Sequence, residues 1–333
     1  MDAPFYFIGI DIAKLKFDVA VKKSPRKYLS AQFDNNQQGF ALFSEWLATH
    51  TKGQPLYIVM EATNIYHEQL ADYLYQAQHS VVVINPKCSA NLAKGLNIRS
   101  KTDKVDAKLL ARLGEIYQDE FDLYQPKSQG EKTLLRRLRQ VEYYKSLKTK
   151  EQVRQQTLMD EICLAMSERL IQHLEQEIIQ LEKQINQLVK NDEKLNQNNK
   201  LLNTIPAIGK TTAWWLLAHL GDGTRFKNGK AAATHAGLTP MVKQSGTSVD
   251  KKCGISRIGQ SDLRKALYMP ATAFSFGVHK NSIYATFVTR LVEQNKVAKK
   301  AVIVALMRKL VTIAQSVLKY QQPFDEKRYA NLV

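Results

Sequence analysis

The chain has 333 residues, with 48 lysines and arginines against 31 aspartates and glutamates, a formal net charge of +17. Its 44% hydrophobic and 24% charged residues are those of a folded protein long enough for two or three cores, and so large a positive excess concentrates polyanions, nucleic acid foremost. Cys88, Cys163 and Cys253 are odd in number and far apart, which argues against a disulfide framework or a zinc site. The start of the chain lacks a basic leader, and no run reaches the roughly 18 apolar residues of a membrane span, so a soluble, cytoplasmic protein without a membrane partner is expected.

Residues 5–21, FYFIGIDIAKLKFDVAV, hold two β-branched apolar runs around a short polar break and predict a β-hairpin with Asp11 at the end of its first strand. A third short strand falls near 28–34, and Phe40, Phe43, Trp46 and Leu47 space one face of a helix over 37–50. LYIVME at 56–61 predicts a buried strand ending in an acid, 66–78 a helix, and SVVVINP at 80–86 another buried strand, stopped by Pro86. Helical period returns over 103–117. Strands alternating with helices in this way predict a mixed α/β sheet covered on both faces.

From Gln129 to about Gln197 there is no proline and one glycine, and Leu174, Ile178, Leu181, Ile185 and Leu188 form a heptad seam. Two long helices in an antiparallel hairpin and intermolecular pairing both satisfy that seam. Residues 201–222 place two helical patterns around the turn 205–210 and look like a helix–hairpin–helix, whose Gly209, Lys210 and Thr211 would meet a phosphate at a helix N-terminus; a plain helical turn is the alternative. The Gly-, Ser-, Thr- and Lys-rich stretch 226–262 reads as loop and short helix, and 262–320 as helix broken near Gly277–Asn281.

Four carboxylates stand out by placement. Asp11 and Glu61 close strands, while Asp103 and Asp106 open a helix three residues apart and so share its face. Singly, each reads as a turn acid, a solvated strand end or a helix N-terminal acid. Together, in this order on an α/β pattern, they suit two Mg²⁺ ions for phosphodiester transfer, with Mn²⁺ as a substitute on the same oxygen ligands. Lys87, Lys94, Arg99, Lys101, Lys104, Lys108 and Arg112 crowd the stretch around the aspartates, as attraction of a phosphate requires.

The segments FIGIDIAKLKFDVAV, VMEATNIYHEQLADYL and NPKCSANLAKGLNIRSKTDKVDAKLLARL resemble the RuvC-like, RNase H-like domain of the DEDD-motif insertion-sequence transposases. In that family, acids matching Asp11, Glu61, Asp103 and Asp106 bind catalytic magnesium. The later stretch KQSGTSVDKKCGISRIGQSDLRKALYMPA resembles the family's second signature, in which a loop serine attacks the DNA phosphate; Ser245 is the matching position and Ser248 the second candidate. By itself, a Gly-flanked serine in a basic loop reads as a turn residue or a phosphate donor. Lys251, Lys252, Arg257, Arg264 and Lys265 would clamp phosphates beside it, and Lys296, Lys299, Lys300, Arg308 and Lys309 form a further basic stripe.

The resemblance implies a RuvC-like catalytic domain at 1–125, a helical coiled-coil arm at 126–198 and a mostly helical C-terminal transposase domain at 199–333. It also implies transposition through a circular intermediate, a structured guide RNA encoded by the element, and a homo-oligomer (dimer or tetramer) whose subunits share an active site in a bacterial, nucleoid-associated setting. Other readings are a junction-resolving nuclease that needs only the four acids, a sugar-kinase-like ATPase suggested by GIDIAK, and a non-enzymatic nucleic-acid-binding protein. No convincing Gly-rich phosphate loop follows to support the kinase.

Overall fold

The computed structural model describes residues 6–97, 102–245, 249–280 and 283–329, with 242–245 and 249–253 described through their backbone alone. The chain divides into two compact units, Met1–Pro126 and Lys127–Val333.

The first unit is built on a five-stranded mixed sheet. Strands β1 (Tyr6–Ile12), β2 (Lys16–Ser24) and β3 (Lys27–Asp34) are antiparallel neighbours, and β4 (Leu56–Glu61) and β5 (Ser80–Ile84) run parallel to β1, giving the order β3-β2-β1-β4-β5. Helices α1 (Gln37–Thr51) and α2 (Glu68–Gln76) cover one face. There Ile8, Ile10, Ile58 and Met60 pack with Phe40, Phe43, Leu70 and Leu74 out of water. Helices α3 (Pro86–Gly95) and α4 (Asp103–Tyr117) follow β5, and Leu110 and Leu113 of α4 pack on Tyr57, Val59, Val82 and Ile84 of the opposite face. Burial on both faces explains why these strands read as nearly continuous apolar runs.

Sequence periodicity misses α3. Pro86 does not simply stop the strand. It occupies the first turn of a helix whose N-cap, Asn85, accepts a hydrogen bond from the Lys87 amide. Proline suits that position because its missing N–H would be unbonded anyway.

The second unit opens with two long helices, α5 (Gln129–Gln155) and α6 (Glu161–Asn191). Lys145 pairs with Glu182 and Lys148 with Glu175, so residue numbers fall on one helix as they rise on the other and the two run antiparallel within one chain. Leu174, Ile178 and Ile185 of the seam are buried there. α5 starts at a reciprocal cap in which Ser128 and Glu131 each bond the other's backbone amide.

Helices α7 (Glu193–Leu202), α8 (Lys210–Leu220) and α9 (Gly229–His235) follow, then α10 (Ser261–Phe276), the short α11 (Ala285–Thr289) and α12 (Lys299–Tyr320). They share one hydrophobic core with α5 and α6, and buried Glu131 reaches Arg225 at 2.7 Å. α12 is long and apolar enough, by length and composition, to cross a bilayer, but here it is a core helix with Leu306, Leu310, Val311 and Val317 buried.

Between α9 and α10 the structure replaces the expected loop with a two-stranded antiparallel hairpin, β6 (Pro240–Ser245) and β7 (Val249–Ile255). Its strands carry Lys243, Gln244, Asp250, Lys251 and Lys252, so no apolar alternation announces them.

Candidate active site

Asp11 is the sixth residue of β1, and alternation along a strand puts it on the same face as Gly9. That face is the one α4 covers. A Cβ at Gly9 would stand 1.9 Å from the Ala107 carbonyl oxygen and 2.4 Å from the Ala111 nitrogen, so only glycine admits the helix this closely. Gly114, two turns along, plays the same part against Val59 and Tyr57. The two glycines press α4 onto the sheet and thereby bring its first turn, with Asp103 and Asp106, beside Asp11.

Glu61 arrives by register. β1 and β4 pair in parallel with Ile10 opposite Met60, so Asp11 and Glu61 stand at the next level, and Glu61 shares its face with Val59 and Tyr57. Its position is set from α3, where the buried Ser89 Oγ donates to Glu61 Oε2 at 2.5 Å and lies 2.8 Å from the Pro86 carbonyl. A fifth acid, Asp18, sits directly opposite Asp11 on β2, 3% exposed, and accepts a hydrogen bond from Gln32 at 2.9 Å.

The electrostatics follow from this crowding. Burial first, and then the charges of Asp106, Asp103, Glu61 and Asp18, raise the Asp11 carboxyl from its ordinary value to about 6. The helix acids lie at the positive end of α4, whose N-cap Thr102 accepts from the Val105 amide, and Lys16 Nζ stands 3.6 Å from Asp103 Oδ2. Among the described residues no three Asp, Glu, His or Cys side chains form a group that could hold a metal ion as they stand. Like charges spread apart, and Asp103 is drawn toward Lys16. The donor set is nonetheless that of a hard divalent cation: carboxylate oxygens only, with no thiol or imidazole among them.

The other expected site residues are scattered more widely. Arg99, Lys101 and Ser248 lie outside the described residues, as do the side chains of Ser245, Lys251 and Lys252, although Ser245 ends β6 and pairs with Val249. Lys104 and Lys108 are exposed on α4, Lys108 standing 5.9 Å from the Tyr28 ring. Gly209 caps α8 through extended backbone, without a side-chain cap, after a turn in which Ala207 takes a positive φ of 62°. Lys210 and Thr211 are exposed in the first turn of α8, and Lys210 lies 4.9 Å from the Trp214 ring.

Arg257 is exposed at a left-handed backbone position. Arg264 instead donates to the carbonyls of Ala236, at 2.9 Å, and Gly259, at 3.3 Å, and Lys265 pairs with Glu142. Ser89, Asp18 and Gly9 were not singled out from the sequence. For Ser89 the Asn85-Pro86 helix start was the available signal.

Two family models match the chain. One, described as Transposase and of the DEDD type of IS110, spans residues 8–191; the other, Transposase IS116/IS110/IS902 family, spans 199–286. Pilin gene-inverting proteins of Moraxella bovis and Moraxella lacunata are each 41% identical over 322 residues, covering 96% of this chain and 98% of theirs. A protein of insertion element IS110 from Streptomyces coelicolor is 39% identical over 72 residues, 22% of this chain and 18% of that one. With the acidic face of its sheet built in the first match and the serine hairpin in the second, the chain belongs to the IS110 family of transposases.

Proposed function

We propose that this protein cuts and rejoins DNA, using the four carboxylates of the sheet unit together with the serine of the β6–β7 hairpin. The observation that carries this reading is the convergence of Asp11 and Glu61, from adjacent parallel strands, with the two acids opening α4. A sheet ordered β3-β2-β1-β4-β5, with β2 alone antiparallel to its neighbours, supports an RNase H-like, RuvC-like assignment for that unit.

Asp11, Glu61, Asp103 and Asp106 would hold Mg²⁺, two ions in this reading, with Mn²⁺ as a substitute. Bound there, such ions supply charge stabilisation to the attacking and leaving oxygens of the phosphodiester. Ser89 orients Glu61 through its short hydrogen bond, and the apolar faces of the sheet hold the strand-end acids in register. At the hairpin the Ser245 hydroxyl attacks the scissile phosphate. An Oγ–P bond forms, the bridging P–O bond breaks and the leaving strand oxygen takes a proton; attack by a new strand end reverses the sequence and frees the serine. Ser248 is the second candidate for this role.

The relatives named pilin gene-inverting proteins support rejoining, since inversion demands that strands be resealed. DNA ends and target are the substrates in this reading, and a structured RNA encoded by the element is the guide, supported by the family resemblance and the net charge of +17. A homo-oligomer, dimer or tetramer, brings the acids of one subunit to the serine of another. An apolar stripe on the arm, Ile162, Met166 and Leu170 at steps of four, is exposed and supports such pairing.

The test is a denaturing-gel search for a covalent protein–DNA adduct with purified protein, element-end DNA, the adjacent non-coding RNA and Mg²⁺. Wild type should form the adduct, and Ser245→Ala and Asp11→Asn should each lose it. Mixing the two variants should restore it if subunits share the site. Cleavage without an adduct would convert the reading to a hydrolytic nuclease.

A further inference from the structure

The second unit contains a cleft of about 1270 Å³ between α10, α12 and the root of the β6–β7 hairpin. Its floor is apolar, formed by Ala301, Val304 and Ala305 of α12 with Tyr268 and Met269 of α10, the last two 39% and 69% exposed. Seven lining residues are lysine or arginine, and none of the lining residues is aspartate or glutamate. Arg264 is committed to backbone carbonyls and pins the segment that carries Arg257, and Lys265 is paired with Glu142. Lys230, Arg257, Lys300 and Arg308 enter no ion pair among the described residues.

A cleft with an apolar floor and an acid-free cationic rim selects a ligand that is anionic along its edge and flat and apolar in its body. Duplex DNA offers phosphates but keeps its base faces stacked inside, so the floor would have nothing to cover. Unpaired nucleotides offer both, and stacking of bases on exposed side chains beside a basic groove is the general way single strands are held. The cleft exceeds the roughly 300–1,000 Å³ that encloses one drug-sized molecule, leaving room for more than one nucleotide.

Pro240 and Ile255, the root residues of the hairpin, form part of the wall. Ser245 ends a six-residue strand rising from that root, roughly 17 Å at about 3.3 Å per residue. We infer that this cleft binds unpaired nucleotides, with bases over Tyr268 and Met269 and phosphates on Lys230, Arg257, Lys300 and Arg308, and so presents a melted strand to the serine hairpin. The inference rests on the DNA-rejoining reading for the identity of the strand, and adds that the strand is single there.

Fluorescence anisotropy of the full chain in EDTA, with labelled oligothymidylate and a duplex of equal length, tests it. Wild type should favour the single strand by about tenfold, and Tyr268→Ala should weaken single-strand binding by about tenfold while changing duplex binding less than about twofold. Tyr268→Phe, which keeps the ring, should bind as wild type does. The Lys300→Gln/Arg308→Gln variant should flatten the salt slope for the single strand by about 1.4, at roughly 0.7 per phosphate contact. Equal binding of both probes by wild type, equal loss of both in Tyr268→Ala, or displacement of the single strand by polyglutamate at matched charge would overturn it. A single-strand preference that depends on Tyr268 but comes with no adduct on element DNA would leave the inference standing and sink the rejoining reading; an adduct without that preference would do the reverse.

Discussion

The surroundings of Asp11 oppose its ionisation, since burial and four neighbouring acids raise its carboxyl to about 6. A fold keeps such an arrangement where a charge is to be met, and perturbed carboxylates of this kind cluster at functional sites. Ser89 matters for the same reason. Its hydroxyl fixes one oxygen of Glu61 at 2.5 Å, so the other keeps a defined direction. Ser89→Ala is expected to weaken Mg²⁺ dependence by about 10–100-fold, the range for partners that orient a ligand carboxylate. A Mg²⁺ titration of adduct formation measures it, and a midpoint unchanged from wild type would remove Ser89 from the site. The Asn85-Pro86 helix start is the one local mark near this serine, and it does not name Glu61, which lies 28 residues earlier in the chain.

At the scale of elements, the placement of α4 decides the geometry. Gly9 and Gly114 let it approach the sheet, and the approach sets the distance from Asp11 to Asp103 and Asp106. Gly9→Ala would drive a methyl group into the Ala107 carbonyl, which belongs to backbone and cannot swing away. Overpacking of a tight core costs about 1–3 kcal/mol, and this contact belongs at the upper end. Urea unfolding followed at Trp46, the tryptophan of the first unit, should show a loss of about 3 kcal/mol; a loss below about 1 kcal/mol would mean that α4 is not held by this contact.

Elements with a strong apolar period, β1 to β5, α1, α2 and α4, were legible from sequence. α3 and the β6–β7 hairpin were not. The first begins at a proline read as a stop, and the second pairs polar strands whose partners are chosen by backbone hydrogen bonding instead of by an apolar pattern.

Across the whole molecule, the two units carry different liabilities. The second buries His219 and half-buries His235, ring centroids 5.8 Å apart. Burial, and then the neighbouring His219, Lys127 and Arg225, push His235 down to about 3, and burial lowers His219 as well. A base with a depressed pKa is neutral in the fold and binds its proton when unfolded. Its stabilising effect is therefore complete above about 6.5 and is lost as pH falls toward 3, at about 1.4 kcal/mol per pH unit for each proton. Urea midpoints of the second unit, followed at Trp214 and Trp215, should fall between pH 7 and 5, and His235→Gln should make the fall shallower by one proton. An unchanged slope would mean that His235 does not titrate on unfolding.

By itself the sequence determined the alternation of strands and helices through residue 117, the position of Asp11 and Glu61 at strand ends, the position of Asp103 and Asp106 at a helix start, and the strong positive charge. These are local or summed properties, carried by the period of apolar residues and by simple composition. Tertiary structure alone decided that Asp18 would join the acids, that Ser89 would hold Glu61, that Arg264 would be spent on backbone carbonyls, and that cations from α9, α10, α12 and the segment after the hairpin would ring one apolar cleft. Each of these brings together residues far apart in the chain. Strand register, close helix approach at a glycine and shared burial choose such partners, and none of the three is written in any single stretch of sequence.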